Sequence, residues 1–497
     1  MKSIKYYISI VCIILIAPAC KKFVDYKPKD DYQITADDYL TTADDYQKMV
    51  VGVYSPLQWL WSNTVIGDVA SDNSVSGGEN ASDQIGFQQI DDYIIVANNS
   101  YLTEAWKGCY EGINRANYLN GNKAKLDFIG KDALYGEVYF LRAYYYFELV
   151  KLFGDVPLFV DKRLTASDSK AFQRTPKADV YKQIELDLTT AIAVLPITNV
   201  QKGRITKYAA QALLGKVLLF QNKFDAAAAM LENVVQGPFN LVTNYGDIFL
   251  QGGENGTESV FEIQYTNQSP EHGFDNPGVG RGQGNLAVQV CGIRNLNGSV
   301  EMPYSVGWSS NLPTADLANA FAAGDKRKEV TIMDIEAYKT ANPNFNITYV
   351  AAPYKNTGFY NQKYMPRKGE SAGAVELNYL NNFRTIRYAD VLLMAAEANN
   401  RASSANDTKA QGYLNKVRQR AFGDLLHNSA ATGVALKQAI WDERRLELAM
   451  EGDRFFDLVR IGQAATKIKG FVVGKNEVFP LPQEEIDISG LPQNNGY

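Results

Sequence analysis

Histidine and cysteine are scarce in this 497-residue sequence, and each shortage limits the chemistry that the chain can perform. The two histidines are His272 and His427, which excludes most zinc sites built on histidine and disfavours a histidine-centred catalytic triad. The four cysteines stand at positions 12, 20, 109 and 291, and no two of them form a Cys-x-x-Cys motif. Metal knuckles and thioredoxin-type motifs are therefore excluded, whereas a disulfide between Cys109 and Cys291 stays open outside the cytoplasm.

Basic residues are not in excess, and the sequence has no basic run. Its 50 Lys and Arg residues are opposed by 55 Asp and Glu residues, which gives a net charge of −5. Nucleic acid is therefore not expected as a partner. Aromatic side chains, by contrast, are abundant, with 30 Tyr and 23 Phe. Tyrosine at this level provides amphipathic surface that suits polar ligands and interfaces.

The N-terminal segment has an apolar run, Tyr6–Ile16, that is too short to span a bilayer. Lys2 and Lys5 precede this run, and Ala17-Pro18-Ala19 places small residues immediately before Cys20. This order is typical of a bacterial lipoprotein signal. We therefore predict that residues 1–19 are removed and that an acylated Cys20 anchors the protein to a membrane. An ordinary secretory signal with an incidental Cys20 is the alternative.

Three segments share the spacing of small and apolar residues that is typical of tetratricopeptide helix pairs. In TKYAAQALLGKVLLFQNKFDAAAAMLENVV, the small residues Gly215 and Ala227 would let two helices cross closely. We therefore predict a scaffold of helical repeats over residues 35–240 and 385–460. The repeat positions are Leu214, Gly215, Leu218, Ala227, Leu231 and Val234; Ala143, Tyr146, Ile184, Leu188, Ala191 and Pro196; and Met394, Ala398, Ala410, Leu414 and Val417.

Four helices of the predicted scaffold can be placed individually, and a loop-rich insertion interrupts the scaffold. The segment 140–159 has almost no polar face, so we expect its helix to be buried and to stop at Gly154 and Pro157. Between residues 240 and 385, Gly, Asn, Pro and Tyr increase and helical periodicity fails, with a short strand predicted at 259–266. The predicted fold is thus mainly α with a loop-rich insertion. The other predicted helices are Thr35–Leu60, Thr103–Leu119 and Asp179–Leu195.

The C-terminal stretch begins at Leu436 with LKQAIWDERRLELAMEGDRFFDLVRIG, in which we predict a helix with an acidic stripe. Glu443, Glu447 and Glu451 follow one another at four-residue spacing. Paired carboxylates could serve a glycoside hydrolase. A structural helix is the preferred interpretation, because neighbouring arginines would neutralise the acids and lower their pKa values, the opposite of what a general acid needs. These arginines are Arg444, Arg445 and Arg454.

Two loops contain motifs with a functional and a structural interpretation. Asp68, Asp72, Asn73 and Glu79 offer clustered oxygens for calcium, although a solvated loop with Asx turns fits the spacing better. In that loop, Asp72 and Asn73 could instead hydrogen-bond ligand hydroxyls. The segment Gly278–Gly284 has alternate glycines, but no Lys-Ser or Lys-Thr follows, so we interpret it as a flexible loop and not as a phosphate site.

Aromatic side chains in loop-like sequence are the main candidates for ligand binding. Flat rings can stack on the C–H faces of sugar rings while nearby polar groups bind the hydroxyls. Trp59 continues the first helix, so core packing is preferred there, whereas packing and binding are both open for Trp61 and Trp308. Asn285 is a weaker polar candidate. The predicted ligand-binding residues are Trp61, Asp72, Asn73, Arg281, Tyr304 and Trp308, with no catalytic or metal-binding residue.

Several segments together resemble the RagB/SusD family of Bacteroidetes outer-membrane nutrient-binding lipoproteins. The resemblance covers nearly the whole chain, from the leader that ends at Cys20 to the terminal QNNGY, in which Asn495 stands where many members have Pro. The segments that carry it are KFVDYKP after the leader, LRAYYYFELVKLFGDVPL at 141–158, IRYADVLLMAAEA at 386–398, ERRLELAMEGDRFFDLVRIG at 443–462 and PLPQEEI at 480–486.

The resemblance implies a helical fold with four tetratricopeptide-like helix pairs, a lipid anchor in the outer membrane, and no catalysis or cofactor. It also implies a SusC-like TonB-dependent transporter as the partner and a glycan, in some members a peptide, as the ligand. We therefore expect a binding lipoprotein that passes an oligomeric nutrient to this transporter. A peptide-binding member, a secreted glycoside hydrolase and a repeat adaptor that binds only protein are the alternatives.

Overall fold

The computed structural model describes residues 39–165, 168, 170, 172–268, 282–350, 354–372 and 377–497. Residues 1–38, which include Cys20, and Arg281 lie outside this part of the chain. Helices make up most of its regular structure. The described strands are short and form three two-stranded antiparallel sheets, β1–β3, β2–β6 and β4–β5. The prediction of a mainly α fold is confirmed.

The regular structure of the described chain up to residue 235 is almost entirely helical. Its first helix begins at Ala43, where the side chains of Thr42 and Asp45 close a capping box; Thr35, the predicted start, lies outside the described residues. The elements are α1 Ala43–Trp59, α2 Trp61–Val69, β1 Ser74–Val75, α3 Ile85–Asp91, α4 Ser100–Gly121, α5 Lys131–Phe153, α6 Lys177–Val194, α7 Lys207–Phe220 and α8 Phe224–Val235.

The loop-rich insertion contains short helices as well as strands, and longer helices resume after it. The strand predicted at 259–266 is present as β2, and it pairs with β6 at the end of the insertion. The elements are β2 Ser259–Ile263, α9 Leu286–Cys291, β3 Leu312–Pro313, α10 Ala315–Ala320, α11 Lys328–Thr331, β4 Ile332–Asp334, α12 Ile335–Ala341, β5 Phe359–Asn361, β6 Phe383–Arg387, α13 Tyr388–Arg401, α14 Asp407–Phe422, α15 Gly433–Glu447, α16 Arg454–Arg460, α17 Ala464–Lys467 and α18 Gln483–Ser489.

Helix α5 is the buried centre of the N-terminal scaffold, as its apolar sequence predicts. It starts earlier than expected, at Lys131, and ends at Phe153, before Gly154 with φ 73°. Its polar groups are internally satisfied: Arg142 donates to both carboxylate oxygens of Asp187 at 2.7 and 2.8 Å. Within the described residues, no helix is both long enough and apolar enough to cross a membrane.

Neighbouring helices pack as the pairs α1 with α4, α5 with α6, α7 with α8, and α13 with α14. The predicted close crossing of α7 and α8 is present. A Cβ atom added to Gly215 would lie 2.4 Å from the Leu231 side chain, and Ala227 on the facing helix is fully buried. Small residues thus let the paired helices approach, which is the packing that the repeat spacing indicates.

The C-terminal stretch is two helices and not one. Helix α15 ends at Glu447, and α16 begins at Arg454. The turn between them lies against α2: a Cβ atom on Gly67 would be 1.9 Å from the Gly452 carbonyl oxygen, and Gly452 itself has φ +84°. A continuous helix could not make this contact, because Gly452 must adopt the left-handed conformation. The prediction that one helix carries Glu443, Glu447 and Glu451 is therefore wrong, because Glu451 lies in the turn after α15.

Glu447, the last residue of α15, is fully buried between three arginines. Its Oε1 accepts from Arg420 Nη2 at 2.5 Å and Arg387 Nη1 at 2.9 Å, and its Oε2 accepts from Arg327 Nη1 at 3.1 Å. Burial alone would raise the pKa of Glu447, but the three guanidinium groups outweigh burial and hold that pKa below its ordinary value. The carboxylate therefore stays ionised inside the protein.

The groups around Glu447 come from widely separated parts of the chain. Arg327 and Lys363 belong to the insertion, and Lys363 Nζ donates to Glu451 at 2.7 Å. Glu258 precedes β2 and accepts from Arg387 Nη1 at 2.7 Å. Arg420 lies on α14. We call this cluster the ionic core; it joins the insertion to the helical scaffold. Its members are Glu258, Arg327, Lys363, Arg387, Arg420, Glu443, Glu447 and Glu451.

The acidic stripe is structural, as preferred, but its predicted partners are wrong. Arg444 pairs with Asp390 at 2.6 Å, and Arg454 pairs with Asp72 at 2.7 Å. Arg445 donates to Asp316 as well. Residues adjacent in sequence point to different sides of a helix, so arginines next to the acids along the chain contact other elements. The acids are instead paired with residues of the ionic core and, at Glu443, also with Arg418.

We expect two mid-helix glycines to respond oppositely to alanine. Gly215→Ala should lower the free energy of unfolding by about 1–3 kcal/mol, because the new methyl group overlaps Leu231. Gly412→Ala on α14 should raise that free energy by about 0.5–1 kcal/mol, because the site is open and alanine favours helix. Urea denaturation measures both. Shifts in the same direction would contradict the close crossing at Gly215.

Arg387→Leu should destabilise the protein at pH 7 by about 3–5 kcal/mol, because it leaves buried carboxylates without their partner. As the control, Lys182→Met removes the exposed pair with Asp179 and should have no measurable effect. Since the pKa of Glu447 is lowered by folding, its contribution is present above its unfolded pKa and is lost as pH falls through its folded pKa. In chemical denaturation, the difference in the free energy of unfolding between Arg387→Leu and wild type should therefore become smaller as the pH falls from 7 to 3. A difference that stays constant with pH would count against the ionic core.

Candidate functional site

Asp72 and Asn73 are bound to the C-terminal helices. Arg454 donates to the two carboxylate oxygens of Asp72 at 2.7 and 2.8 Å, and Arg445 Nε donates to the buried Asn73 side chain at 2.8 Å. Burial would raise the pKa of Asp72, but the Arg454 hydrogen bonds and the positive charges of Arg454 and Arg445 together outweigh burial and lower that pKa. The acceptor atoms predicted for ligand hydroxyls are thus already used, and their role in binding stays a prediction.

The other oxygens of the calcium alternative also have protein partners. Asp68 is buried and accepts from Asn311 Nδ2 at 2.9 Å and from the Gly452 amide at 3.0 Å, and burial raises its pKa to about 7. Glu79 lies 3.7 Å from Arg294 Nη1. The part of the chain that the structure describes contains no group of three or more His, Cys, Asp or Glu that could hold a metal ion.

Cys109 and Cys291 are both free and buried, so the disulfide left open by the sequence is not formed. Burial raises the pKa of both thiols. Each therefore packs as a small apolar residue, Cys109 within α4 and Cys291 at the end of α9.

Tyr304 and Asn285 belong to the interior of the insertion. Tyr304 is 6% exposed, lies edge-on to Tyr338 with ring centroids 5.7 Å apart, and its hydroxyl accepts from Gln362 Nε2 at 3.2 Å. Asn285 caps α9 and donates to the Asn381 carbonyl at 2.9 Å. The structure does not bring either side chain to a surface with the other candidates. For Tyr304, sugar stacking stays a prediction.

Trp61 is the first residue of α2 and does not lie in a loop as expected. Its ring is partly buried and contacts Phe87 and Tyr101 edge-on, with centroid distances of 6.2 and 5.8 Å. It also borders a narrow interior cavity of about 50 Å³ beside Tyr144 and Tyr265. Trp61 therefore packs both against the core and against Tyr101. The Tyr101 hydroxyl in turn donates to Gln84.

Trp308 is partly buried in a loop, as predicted, and its backbone is fixed to α9. The amides of Trp308, Ser309 and Ser310 donate to the carbonyl groups of Gln289, Gly292 and Val290 at 2.9, 2.7 and 2.9 Å. Three consecutive hydrogen bonds hold this loop in place, and we call it the 308–310 strap. Ser309 has φ 55°, a backbone conformation that is uncommon for residues other than glycine. The indole is thus held on an ordered backbone.

An arginine–aspartate pair lies next to Trp308. Arg294 donates to Asp83 and, at 3.1 Å, to the Trp308 carbonyl. Asp83 and Arg294 are 211 positions apart, and both are partly exposed. The 74–83 loop reaches this position because β1 pairs with β3, and a Cβ atom on Gly77 would lie 2.2 Å from the Ser309 carbonyl oxygen.

We call this region the loop surface and define it by Trp61, Asp83, Tyr101, Arg294 and Trp308. It combines partly exposed indole and phenol rings with one carboxylate and one guanidinium group. A ring face attracts the polarised C–H groups of a neutral ligand, while the charged pair can accept from and donate to hydroxyl groups. The sequence predicted two of the five residues; no local motif marks the other three, because they meet only through pairing of distant segments.

The fold and this surface define the class of protein: a scaffold of helix pairs that carries a loop-rich insertion with a partly exposed aromatic and charged surface. Two family models match the chain. One, described as the SusD family, matches residues 257–479. The other, described as starch-binding and associating with the outer membrane, matches residues 22–219.

Known proteins and structures agree with these models. A SusD-like protein of Formosa agariphila is 27% identical over 447 residues, which is 82% of this chain and 83% of its own length. A laminarin-binding SusD-like protein has a TM-score of 0.81 and 34% identity, with 91% and 99% of the two chains covered. Surface glycan-binding protein A from Bacteroides thetaiotaomicron, solved with laminarihexaose, has a TM-score of 0.79 and 26% identity, with 92% and 100% covered. The chain belongs to the SusD family.

Proposed function

We propose that the protein is a non-catalytic outer-membrane lipoprotein that binds a glycan at the loop surface and delivers it to a SusC-like TonB-dependent transporter. The observation that carries the proposal is the contact of Arg294 with both Asp83 and the Trp308 backbone. This contact places a charged pair at the backbone of a partly exposed tryptophan residue. Two structurally similar proteins are named for laminarin or solved with laminarihexaose, which supports a glycan as the ligand class.

The chemistry of the loop surface suits a neutral sugar ring. An indole presents a flat negative face to the C–H groups of a pyranose. The guanidinium of Arg294 can donate to hydroxyl oxygens, and the Asp83 carboxylate can accept from hydroxyl protons. Because few contacts are available on an open surface, we expect modest affinity for each sugar unit.

The 308–310 strap makes the loop surface suitable for repeated binding. Its backbone is held by the protein's own hydrogen bonds, so we expect little ordering to accompany binding at Trp308. The contact of Gly77 with Ser309 also fixes the loop that carries Asp83. Contacts within the protein therefore hold both sides of the surface in place.

A secreted glycoside hydrolase is the main alternative class. The acidic stripe does not support it, because Glu443, Glu447 and Glu451 are almost completely buried in ion pairs. A general acid or base must instead reach the scissile bond with a pKa near the working pH. Incubation with a polysaccharide panel tests this alternative, and release of reducing ends would overturn the non-catalytic assignment.

Peptide binding and a repeat adaptor that binds only protein are the other two alternatives. The paired charges at the loop surface could also contact peptide groups. In the structure, only the partly exposed indole and phenol rings favour a glycan over a peptide. Binding of defined hexasaccharides distinguishes a glycan-binding protein from a peptide-binding protein and from an adaptor that binds only protein. Retention of peptides without retention of saccharides would favour the peptide or adaptor alternatives.

In the proposed arrangement, residues 1–19 are a removed signal and residues 20–497 form a single domain. Helical repeats would occupy about 35–240 and 385–460, with the ligand-binding insertion at about 240–385 between them. Acylated Cys20 would hold the domain at the outer membrane beside its transporter, on the cell surface. The description of the matching family as associating with the outer membrane supports this location.

Trp308→Ala and Arg294→Met should each weaken binding of the glycan by roughly tenfold, which corresponds to about 1.4 kcal/mol. The expected loss is the stacking face in the first variant and the hydroxyl donors in the second. Isothermal titration with laminarihexaose and maltohexaose measures the affinity of each variant, and thermal unfolding checks that each variant is folded. Lys182→Met, at an exposed position of helix α6, is the control and should bind as wild type does. Unchanged affinity in both loop-surface variants would contradict the assignment.

Cys20→Ala should release the protein from the membrane fraction, because the acyl chains would have no attachment point. Palmitate labelling in cells and detergent-phase partitioning measure the anchor. Cys12→Ala is the matched control, since it removes a cysteine from the same leader and should leave labelling intact. Labelling that persists in Cys20→Ala would show that Cys20 is incidental.

A further inference from the structure

A second concave surface lies on the helical scaffold, apart from the insertion. It is a cavity of about 640 Å³, which lies within the usual range for sites that bind small molecules. We call it the aromatic groove. It forms where α1 ends, along α4, and under the segment that follows α5. Its rings are Trp59, Trp106, Tyr110, Phe159 and Phe172.

The rings of the groove are held in fixed positions. Tyr110 donates its hydroxyl to the Pro157 carbonyl at 2.7 Å, and Phe159 lies against Phe172 with centroids 4.7 Å apart. Asn114 on α4 binds Leu164 through both its amide and its carbonyl group. The segment after α5 is thereby fastened to α4, so the groove is a formed part of the scaffold.

The charges that line the groove balance one another. Arg115 Nε donates to Glu111 at 2.8 Å, and its guanidinium lies 5.1 Å from the ring centroid of Trp59. Lys107 pairs with Glu484 at 2.5 Å. Glu485 accepts from the Trp106 side chain, and burial raises its pKa. The lining thus carries two cations and two carboxylates beside aromatic rings.

This balance selects the kind of occupant. An anion would meet Glu111 and Glu485, and a cation would meet Arg115 and Lys107. An alkyl chain would cover these polar groups without giving them hydrogen bonds, which is costly. A neutral ring rich in hydroxyl groups can stack on the aromatics and also satisfy both kinds of charge. We propose that the aromatic groove is a second carbohydrate site for one or two pyranose rings, a proposal that extends the glycan binding proposed above.

The groove and the loop surface share two rigid connections. Trp59 lines the groove and Trp61 contacts the loop surface, with only Leu60 between the two helices. Along α4, Tyr101 contacts Trp61, while Trp106 and Tyr110 line the groove, about 8–14 Å further along the helix axis. A rigid spacing of this kind would let a long glycan occupy both sites, with a gain from effective concentration.

The five tryptophans of the chain report on the two sites separately. Trp59 and Trp106 line the groove, Trp61 and Trp308 belong to the loop surface, and Trp441 on α15 is an internal control. The full chain would be labelled with 5-fluorotryptophan, and each fluorine resonance assigned with Trp→Phe variants. Laminarihexaose and maltohexaose are the probes. We expect saturable shifts at Trp59 and Trp106 that persist in Trp308→Ala, without a shift at Trp441.

The outcomes separate the two proposals. Shifts at Trp308 without shifts at Trp59 and Trp106 would overturn the groove site and leave the loop surface intact. Shifts at Trp59 and Trp106 alone would support the groove and count against the loop surface. Benzyl alcohol is an aromatic probe without a sugar ring. If it shifts the Trp59 and Trp106 resonances as much as the hexasaccharides do at the same concentration, the groove is not selective for carbohydrate. Phe172→Ala should weaken the groove titration by about tenfold and leave the Trp308 titration unchanged; an unchanged groove titration would also contradict the proposal.

Discussion

The buried contact between Glu447 and three guanidinium groups is the constraint on which the rest of the architecture depends. Removing these charges from water is costly, so the contact is favourable only when every partner reaches its place. The partners come from the insertion, from β6 and from α14, and Glu447 ends α15. A different position of the insertion would leave a charge without its partner. The ionic core therefore determines how the loop-rich segment sits on the helices.

The parts of the fold that depend on nearby residues could be predicted from sequence. The burial of α5 follows from its apolar composition, and the crossing at Gly215 follows from small residues at repeat spacing. The break after Glu447 could not be predicted in this way. It depends on the contact of Gly452 with Gly67, which are 385 positions apart, and no periodicity within the helix signals such a contact.

The candidate site follows the same division. An aromatic residue in a loop is a local signal, and it identifies Trp308 from the sequence. No local signal identifies Arg294 and Asp83, because their pairing depends on the short sheet that joins β1 to β3. Asp72 lies in the loop as expected, yet its oxygens bind Arg454 from the far end of the chain. Polar residues in a loop thus reveal their partners only when the tertiary structure is known.

The strap at residues 308–310 also has a kinetic consequence. Since its backbone is held by the protein's own hydrogen bonds, binding at the proposed site should need no slow rearrangement, and association would be expected at the usual rates of about 10⁵–10⁷ M⁻¹s⁻¹. The modest affinity that we propose would then arise from rapid dissociation. A short residence time would favour a protein that passes its cargo onward, because a tightly held glycan would block the surface for the next one.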